Sequence, residues 1–77
     1  MDWKTKNNKW TKEFQFANFI ETVDFVNKIV PLTKEADHHP DIFNHSYKKV
    51  TVELITHSLG IITEKDFVLV KKIDEIS

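Results

Sequence analysis

The 77-residue sequence contains no cysteine, a single glycine and only two prolines. The absence of cysteine excludes disulfide bonds and cysteine-based metal sites, and it is compatible with a reducing compartment. Because Gly60 is the only glycine, we expect a specific backbone requirement at that position. The composition, 40% hydrophobic and 30% charged, is typical of a globular chain, and the length predicts a single domain over residues 1–77.

The chain also lacks an excess of positive or negative charge, since its net charge is only −1. A nucleic-acid-binding domain is expected to carry a basic face, so we predict no direct nucleic-acid partner. No apolar run approaches the ~20 residues of a membrane span, and segment 1–4 lacks the apolar core of a signal peptide. These absences predict a soluble, cytoplasmic protein without a membrane partner.

The small size of the chain has a consequence for its assembly. A chain of this length buries only about 60% of the surface that it exposes when unfolded. Since no disulfide can add stability, subunit association is the expected source of further buried surface. We therefore expect a homodimer or a homotetramer.

The periodicity of the first half predicts a hairpin followed by a helix. Asn7 and Asn8 lie between two runs that contain tryptophan, and asparagine tolerates the positive φ of tight turns, which predicts a hairpin over 3–16. Asn18, with Glu21 three residues later, predicts a helix start. The residues that we expect on the apolar stripe of this helix are Phe19, Val23, Val26 and Val30, with Ile20 and Ile29 widening it.

The two prolines predict where this helix is interrupted and where it ends. Pro31 removes a backbone donor and clashes with the preceding turn, so we expect a kink or a break there. The helix is expected to resume over 32–37, and Pro40 ends any continuation.

The second half repeats the order of the first. A hairpin is predicted with arms over 42–47 and 50–56, because β-branched residues dominate the second arm. Thr63 predicts the N-cap of a last helix, which carries Phe67, Val70 and Ile73 on its stripe with Leu69 beside it. The order predicts an α+β fold, in which two helices pack on one face of a four-stranded antiparallel sheet (ββαββα).

Three of the four histidines lie at or just beyond the ends of predicted elements, at positions 38, 39 and 57. Histidine transfers protons near neutral pH because its unperturbed pKa is roughly 6.5. Adjacent histidines point in different directions and suit two atoms of one ligand better than one metal ion. A zinc site using Asp37 or Asp41 is a weaker alternative, and we predict no metal. His45 is expected to be a solvated strand residue.

Motifs spread over nearly the whole chain resemble one enzyme family. They are the run 35–41 with its double histidine and proline, then Tyr47, the tripeptide 56–58 and the run 63–67. Trp3, Trp10, Phe14, Phe16 and Phe19 also stand where that family places aromatic residues. His-His-Pro alone would be a weak signal, but the combination is specific. On these residues the chain resembles the pterin-4a-carbinolamine dehydratase family.

The resemblance implies an enzyme. Such enzymes dehydrate 4a-hydroxytetrahydropterins to the quinonoid dihydropterin, which recycles the cofactor of aromatic amino-acid hydroxylases. An acid must protonate the departing hydroxyl, and a base must take the proton from the neighbouring ring nitrogen; histidine suits both roles. The reaction needs no cofactor of its own.

Carried over position by position, the resemblance implies that His38, His39 and His57 are catalytic. We expect His39 and His57 on the hydroxyl side of the pterin and His38 on the ring-nitrogen side. The residues that we expect to bind the substrate are Asp37, Pro40, Thr56, Ser58 and Asp66. Asp66 can equally be read as an acidic residue in the first turn of the last helix, and Pro40 is expected to set the chain direction.

The chain departs from the family pattern in four features. We expect the extra N-terminal helix of many members to be absent, because residue 1 lies close to the first predicted strand. Ile42 stands where animal members commonly carry tryptophan, Lys34 where an acidic residue is common, and Ile61 where glycine is frequent. These changes concern substrate preference and turnover and not the fold.

Two other functions remain open. The family includes members that bind transcription factors as dimerisation partners, so the fold does not guarantee enzymatic use. The alternative is therefore a non-catalytic homo-oligomeric binding or dimerisation module on the same scaffold. A metal-binding protein is a third, weaker interpretation.

Overall fold

The computed structural model of the chain describes residues 3–56 and 59–77. Within these residues the elements are β1 (Lys4–Lys6), β2 (Lys9–Gln15), α1 (Phe19–Ala36), β3 (Asp41–His45), β4 (Lys49–Leu54) and α2 (Glu64–Ile76). All neighbouring strands pair antiparallel, in the order β1-β2-β4-β3. The predicted α+β fold with the order ββαββα is confirmed.

Both hairpins turn where residues adopt the left-handed backbone region. Asn7 and Asn8 have φ angles of 54° and 63°, which matches the two-residue turn that their side chains favour. Ser46 and Tyr47 have φ angles of 54° and 45° between β3 and β4. Tyr47 therefore lies at the tip of the second hairpin, close to the predicted turn.

The inner face of the sheet carries the core. Val50, Val52 and Leu54 of β4 are fully buried and pack with residues of both helices. Lys12 of β2 lies on this same face, directly opposite Val52. Its ammonium group donates to Asp74 Oδ1 of α2 over 3.1 Å and lies 4.7 Å from the centroid of the Phe14 ring. This lysine on the core face is therefore accommodated by an ion pair and an aromatic face.

The predicted apolar stripe of α1 is wrong for three of its six residues, because another face of the helix meets the sheet. The buried residues are Thr22, Phe25, Ile29 and Thr33, whereas Phe19, Ile20 and Val30 remain 52%, 71% and 53% exposed. The two threonines can be buried because their hydroxyls donate to backbone carbonyls three residues earlier, at 2.6 and 2.7 Å. Only Ile29 of the expected set is fully buried, and Val26 packs partly against the core.

Of the kink or break predicted at Pro31, a break is wrong, since α1 continues through this residue to Ala36. Pro31 is exposed, so its ring lies on the solvent side of the helix. The helix ends one residue before the predicted limit. Asp37 then takes a left-handed conformation with φ 50° and ψ 44°.

The last helix begins at the predicted place, with Thr63 as its N-cap. Its buried residues are Asp66, Leu69, Val70 and Ile73. Phe67, expected on the apolar stripe, is instead 39% exposed. Neither α1 nor α2, the helices found in the described ranges, is long and apolar enough to cross a membrane.

Candidate active site

The end of α1 places His38. The Asp37 N–H donates to the Lys34 carbonyl over 3.3 Å, and the His38 N–H donates to the Thr33 carbonyl over 3.1 Å. This pair of bonds around a left-handed residue is the Schellman motif, and aspartate is among the few non-glycine residues that tolerate it. Because proline disfavours helical backbone at the residue before it, Pro40 also prevents His39 from continuing the helix. The sequence thus turns the chain at His38, whose side chain is only 9% exposed.

His38 meets the first turn of α2 through a buried carboxylate. The distance between His38 Nε2 and Asp66 Oδ1 is 2.5 Å, and Asp66 has no solvent exposure. A buried charge without partners would be strongly destabilising. Asp66 is instead a fully hydrogen-bonded group that joins the end of one helix to the start of the other.

The second oxygen of Asp66 has two further donors. Asp66 Oδ2 accepts the Thr63 backbone N–H over 2.9 Å and the Thr56 hydroxyl over 2.8 Å. Burial alone raises the pKa of the Asp66 carboxyl. The hydrogen bonds from His38, Thr63 and Thr56, with the charge of protonated His38, outweigh burial and lower this pKa below its ordinary value. Asp66 is therefore an ionised carboxylate at neutral pH.

An ionised carboxylate can only accept hydrogen bonds, and this assigns the tautomer of its histidine partner. The 2.5 Å contact requires a proton on Nε2 of His38. In the neutral imidazole the other nitrogen, Nδ1, then carries the lone pair. Asp66 therefore sets which nitrogen of the neutral His38 ring can accept a proton, as carboxylates commonly do for functional histidines.

Thr56 is held in place by its backbone as well as by its side chain. It lies just beyond β4 and pairs with Ile61 in an isolated bridge, with its N–H donating to the Ile61 carbonyl over 3.0 Å. Its carbonyl accepts the Gly60 N–H over 2.8 Å. Gly60 has a φ of +68°, which confirms the expected backbone requirement for the only glycine.

The structure brings together three of the predicted site residues, His38, Thr56 and Asp66. His39 is exposed directly after them, and Asp37 is exposed in the helix cap. Pro40 is half-buried just before β3. The predictions for His57 and Ser58 fall outside the described residues.

Sequence reasoning missed one member of the cluster. Thr63 was recognised only as a helix cap, yet its hydroxyl oxygen lies 2.6 Å from the Thr56 hydroxyl oxygen. The structure also shows that Thr63 and Asp66 form a capping box. No sequence signal connected Thr63 with Thr56.

A cavity between the two helices is another candidate site. A cavity of about 290 Å³ lies between the helices, lined by Glu35, Ala36, Glu64, Lys65, Val68 and Lys72. Because neither His38 nor His39 lines it, we do not assign the chemistry to this cavity. Across residues 3–56 and 59–77, no three histidine, aspartate or glutamate side chains are grouped to hold a metal ion.

The fold and this polar cluster define a two-helix α+β domain in which a buried aspartate is hydrogen-bonded to a histidine. The family model for pterin 4 alpha carbinolamine dehydratase matches residues 1–76. The chain therefore belongs to the pterin 4 alpha carbinolamine dehydratase family, and the resemblance predicted from the sequence is confirmed.

Similar proteins span most of the chain. A relative from Sulfolobus acidocaldarius is 54% identical over 74 residues, which cover 96% of this chain and 80% of that protein. A relative from a Picosynechococcus species is 51% identical over 75 residues, which cover 97% of this chain and 80% of that protein. Both carry the name of the dehydratase family.

Two solved structures share the fold. A transcriptional coactivator/pterin dehydratase from Brucella melitensis is 31% identical with a TM-score of 0.90, covering 97% of this chain and 81% of that chain. A pterin dehydratase-like protein, identified as a RuBisCO assembly factor in the alpha-carboxysome, is 23% identical with a TM-score of 0.73. It covers 95% of this chain and 83% of its own, and at this identity it shows the fold alone.

Proposed function

We propose that this chain dehydrates 4a-hydroxytetrahydropterins to the quinonoid dihydropterin and water, and so serves to recycle a pterin cofactor. Family membership supports the substrate class. The observation that carries the chemistry is the contact between His38 Nε2 and the buried Asp66, which leaves Nδ1 to act as a base. No other described histidine is hydrogen-bonded to a buried carboxylate.

The proposed reaction needs one proton taken and one proton given. Nδ1 of His38 accepts the proton from the ring nitrogen next to the hydroxylated carbon, and that electron pair forms the carbon–nitrogen double bond. The carbon–oxygen bond breaks, and an acid protonates the departing hydroxyl to give water. We assign the acid to His39 together with His57, as the family resemblance implies. Each positioned proton transfer typically contributes ~10²–10⁴-fold to the rate.

The test is an assay of 4a-hydroxytetrahydropterin breakdown with single histidine variants. We expect His38→Ala and His39→Ala to lower kcat by ~10²–10⁴-fold, because each removes a positioned proton-transfer group. His45→Ala is the matched control, since the ring of His45 contacts the hydroxyl of Thr51 in the second hairpin and not the Asp66 cluster. Its kcat should equal that of the wild type.

One result would contradict the dehydratase proposal. Wild-type protein that breaks down the substrate only at the uncatalysed rate would reject a dehydratase. Equal loss of activity in all three variants would show that the effect comes from general destabilisation. Circular dichroism of each variant should therefore match the wild type.

A non-catalytic binding module is the second candidate, and a specific surface favours it. Phe19, Ile20 and Val30 form an exposed apolar stripe on α1, which suits association with another chain. Two proteins with this fold have names that describe assembly or coactivation. Pull-down with a triple variant lacking histidines 38, 39 and 57 separates the functions, because a binding module would keep its partner while an enzyme would lose its activity.

A further inference from the structure

The hydroxyls of Thr56 and Thr63 form a directed chain that ends on Asp66. Their oxygens are 2.6 Å apart, and the Thr56 hydroxyl lies 2.8 Å from Asp66 Oδ2. A hydroxyl has only one proton to donate. Since the carboxylate can only accept, the Thr56 proton must point to Asp66. The bond between the two threonines is therefore donated by Thr63.

With the hydrogen bonds in this direction, each donating group named here has an acceptor. Asp66 receives the imidazole N–H of His38 on Oδ1, and it receives the Thr56 hydroxyl and the Thr63 N–H on Oδ2. The Thr63 hydroxyl acts on the Asp66 carboxylate only through Thr56. The two threonines hold one oxygen of the carboxylate, while the other oxygen faces the histidine.

We propose that Thr56 and Thr63 are positioning residues, which hold the Asp66 carboxylate in the orientation that keeps the proton of neutral His38 on Nε2. Thr56 is then not a substrate ligand, contrary to the expectation from the sequence. The proton placement is a property of the free protein. Its effect on the rate rests on the proposed dehydratase function, so the two are tested by separate measurements.

The first measurement needs no substrate. Nitrogen-15 NMR of the neutral His38 ring in the full chain should show Nε2 protonated and Nδ1 unprotonated in the wild type. In Thr56→Val, which keeps the shape and removes the hydroxyl, we expect a mixture of both tautomers. Thr56→Ser restores the hydroxyl and should restore the wild-type spectrum.

Thr51→Val is the matched control, because it also removes a threonine hydroxyl, one that is hydrogen-bonded to a different histidine. The Thr51 hydroxyl oxygen lies 2.8 Å from Nε2 of His45, on the second hairpin. This variant should change the signals of the His45 ring and leave those of His38 unaltered. A His38 spectrum that is identical in Thr56→Val and in the wild type would overturn the proposal.

The second measurement separates positioning from substrate binding. We expect Thr56→Val and Thr63→Val each to lower kcat about tenfold or more with little change in KM, since a hydrogen bond to a charged group is lost or weakened. The serine variants should recover most of kcat. A raised KM with unchanged kcat would mean that the threonines contact the pterin, and the proposal would be wrong.

A double variant tests whether the two hydroxyls act as one chain. In the Thr56→Val background, Thr63→Val should have little additional effect on kcat, because the Thr63 hydroxyl reaches the Asp66 carboxylate only through Thr56, and the Thr63 N–H is kept in the variant. Fully multiplicative effects would overturn the chain. If the wild type has no dehydratase activity but the His38 tautomer responds as expected, the positioning inference stands and the proposed function fails.

Discussion

Asp66 is the residue on which the candidate site depends. The sequence suggested two roles for it, a substrate ligand and an acidic residue in the first turn of a helix. The structure shows the helix role, because Asp66 accepts the backbone N–H of Thr63. It also shows a contact with His38 that spacing could not reveal, since 28 residues separate the two. Long-range pairing of this kind depends on how the helices dock.

The buried carboxylate predicts a specific response to acid. A carboxyl whose pKa is lower in the folded state stabilises the fold fully above its unfolded pKa, about 3.9. That contribution is lost as pH falls through the folded pKa. We therefore expect the free energy of unfolding, measured with urea from pH 7 to pH 3, to fall less steeply for Asp66→Asn than for the wild type.

Asp24→Asn is the control for this acid response. Asp24 is an exposed acidic residue of α1, so its removal should leave the wild-type dependence on pH unchanged. Two curves of equal slope for Asp66→Asn and the wild type would show that the Asp66 pKa is not lowered by folding.

At the scale of elements, α1 explains why periodicity alone misled the prediction. The helix has two apolar faces, and the expected stripe of valines and phenylalanine belongs largely to the outer one. The inner face includes Thr22 and Thr33, which hydropathy assigns to solvent. Their hydroxyls are satisfied within the helix, which sequence reasoning did not consider. The boundaries of the helix were predicted well because capping is a local interaction.

The continuous helix through Pro31 predicts a stabilising substitution. Proline in a helix interior costs about 3 kcal/mol relative to alanine, partly offset by about 0.4–1 kcal/mol because it restricts the unfolded chain. Pro31→Ala should therefore raise the free energy of unfolding by about 2–2.6 kcal/mol. Urea denaturation measures this change.

Lys28→Ala, at another exposed position of the same helix, is the reference for a substitution that leaves the backbone hydrogen bonds intact. It should change stability by less than about 0.5 kcal/mol. If Pro31→Ala has no larger effect than this reference, the helix accommodates proline without cost.

At the scale of the whole molecule, the fold was more predictable than the site. Strand alternation, asparagine turns and two N-caps are local signals, and together they predict the observed order of elements. The proximity of residue 38 to the region near residue 57 depends on tertiary packing, which local sequence signals do not encode. The structure describes part of it, because Thr56 joins His38 through Asp66. The family motif indicated this meeting, whereas composition and periodicity could not.

The exposed stripe of α1 supports the predicted homo-oligomer. Small domains bury a low fraction of their surface, and several exposed apolar side chains on one helix suit an interaction site. Because the interface of a homo-oligomer often pairs one surface with its own copy, charges introduced there would face each other. We expect wild-type protein to have the mass of a dimer or tetramer in light scattering at micromolar concentration, and Ile20→Glu with Val30→Glu to reduce it.

A matched control decides whether the location of the charge matters. Leu59 is 64% exposed in the segment before α2, so Leu59→Glu adds a charge at an apolar residue of similar exposure outside the stripe. Its mass should equal that of the wild type. A monomeric wild type would contradict the oligomer, whereas an oligomer unaffected by the double variant would place the interface on another surface. The outer stripe of α1, which periodicity alone mistook for a core face, would then need a different explanation.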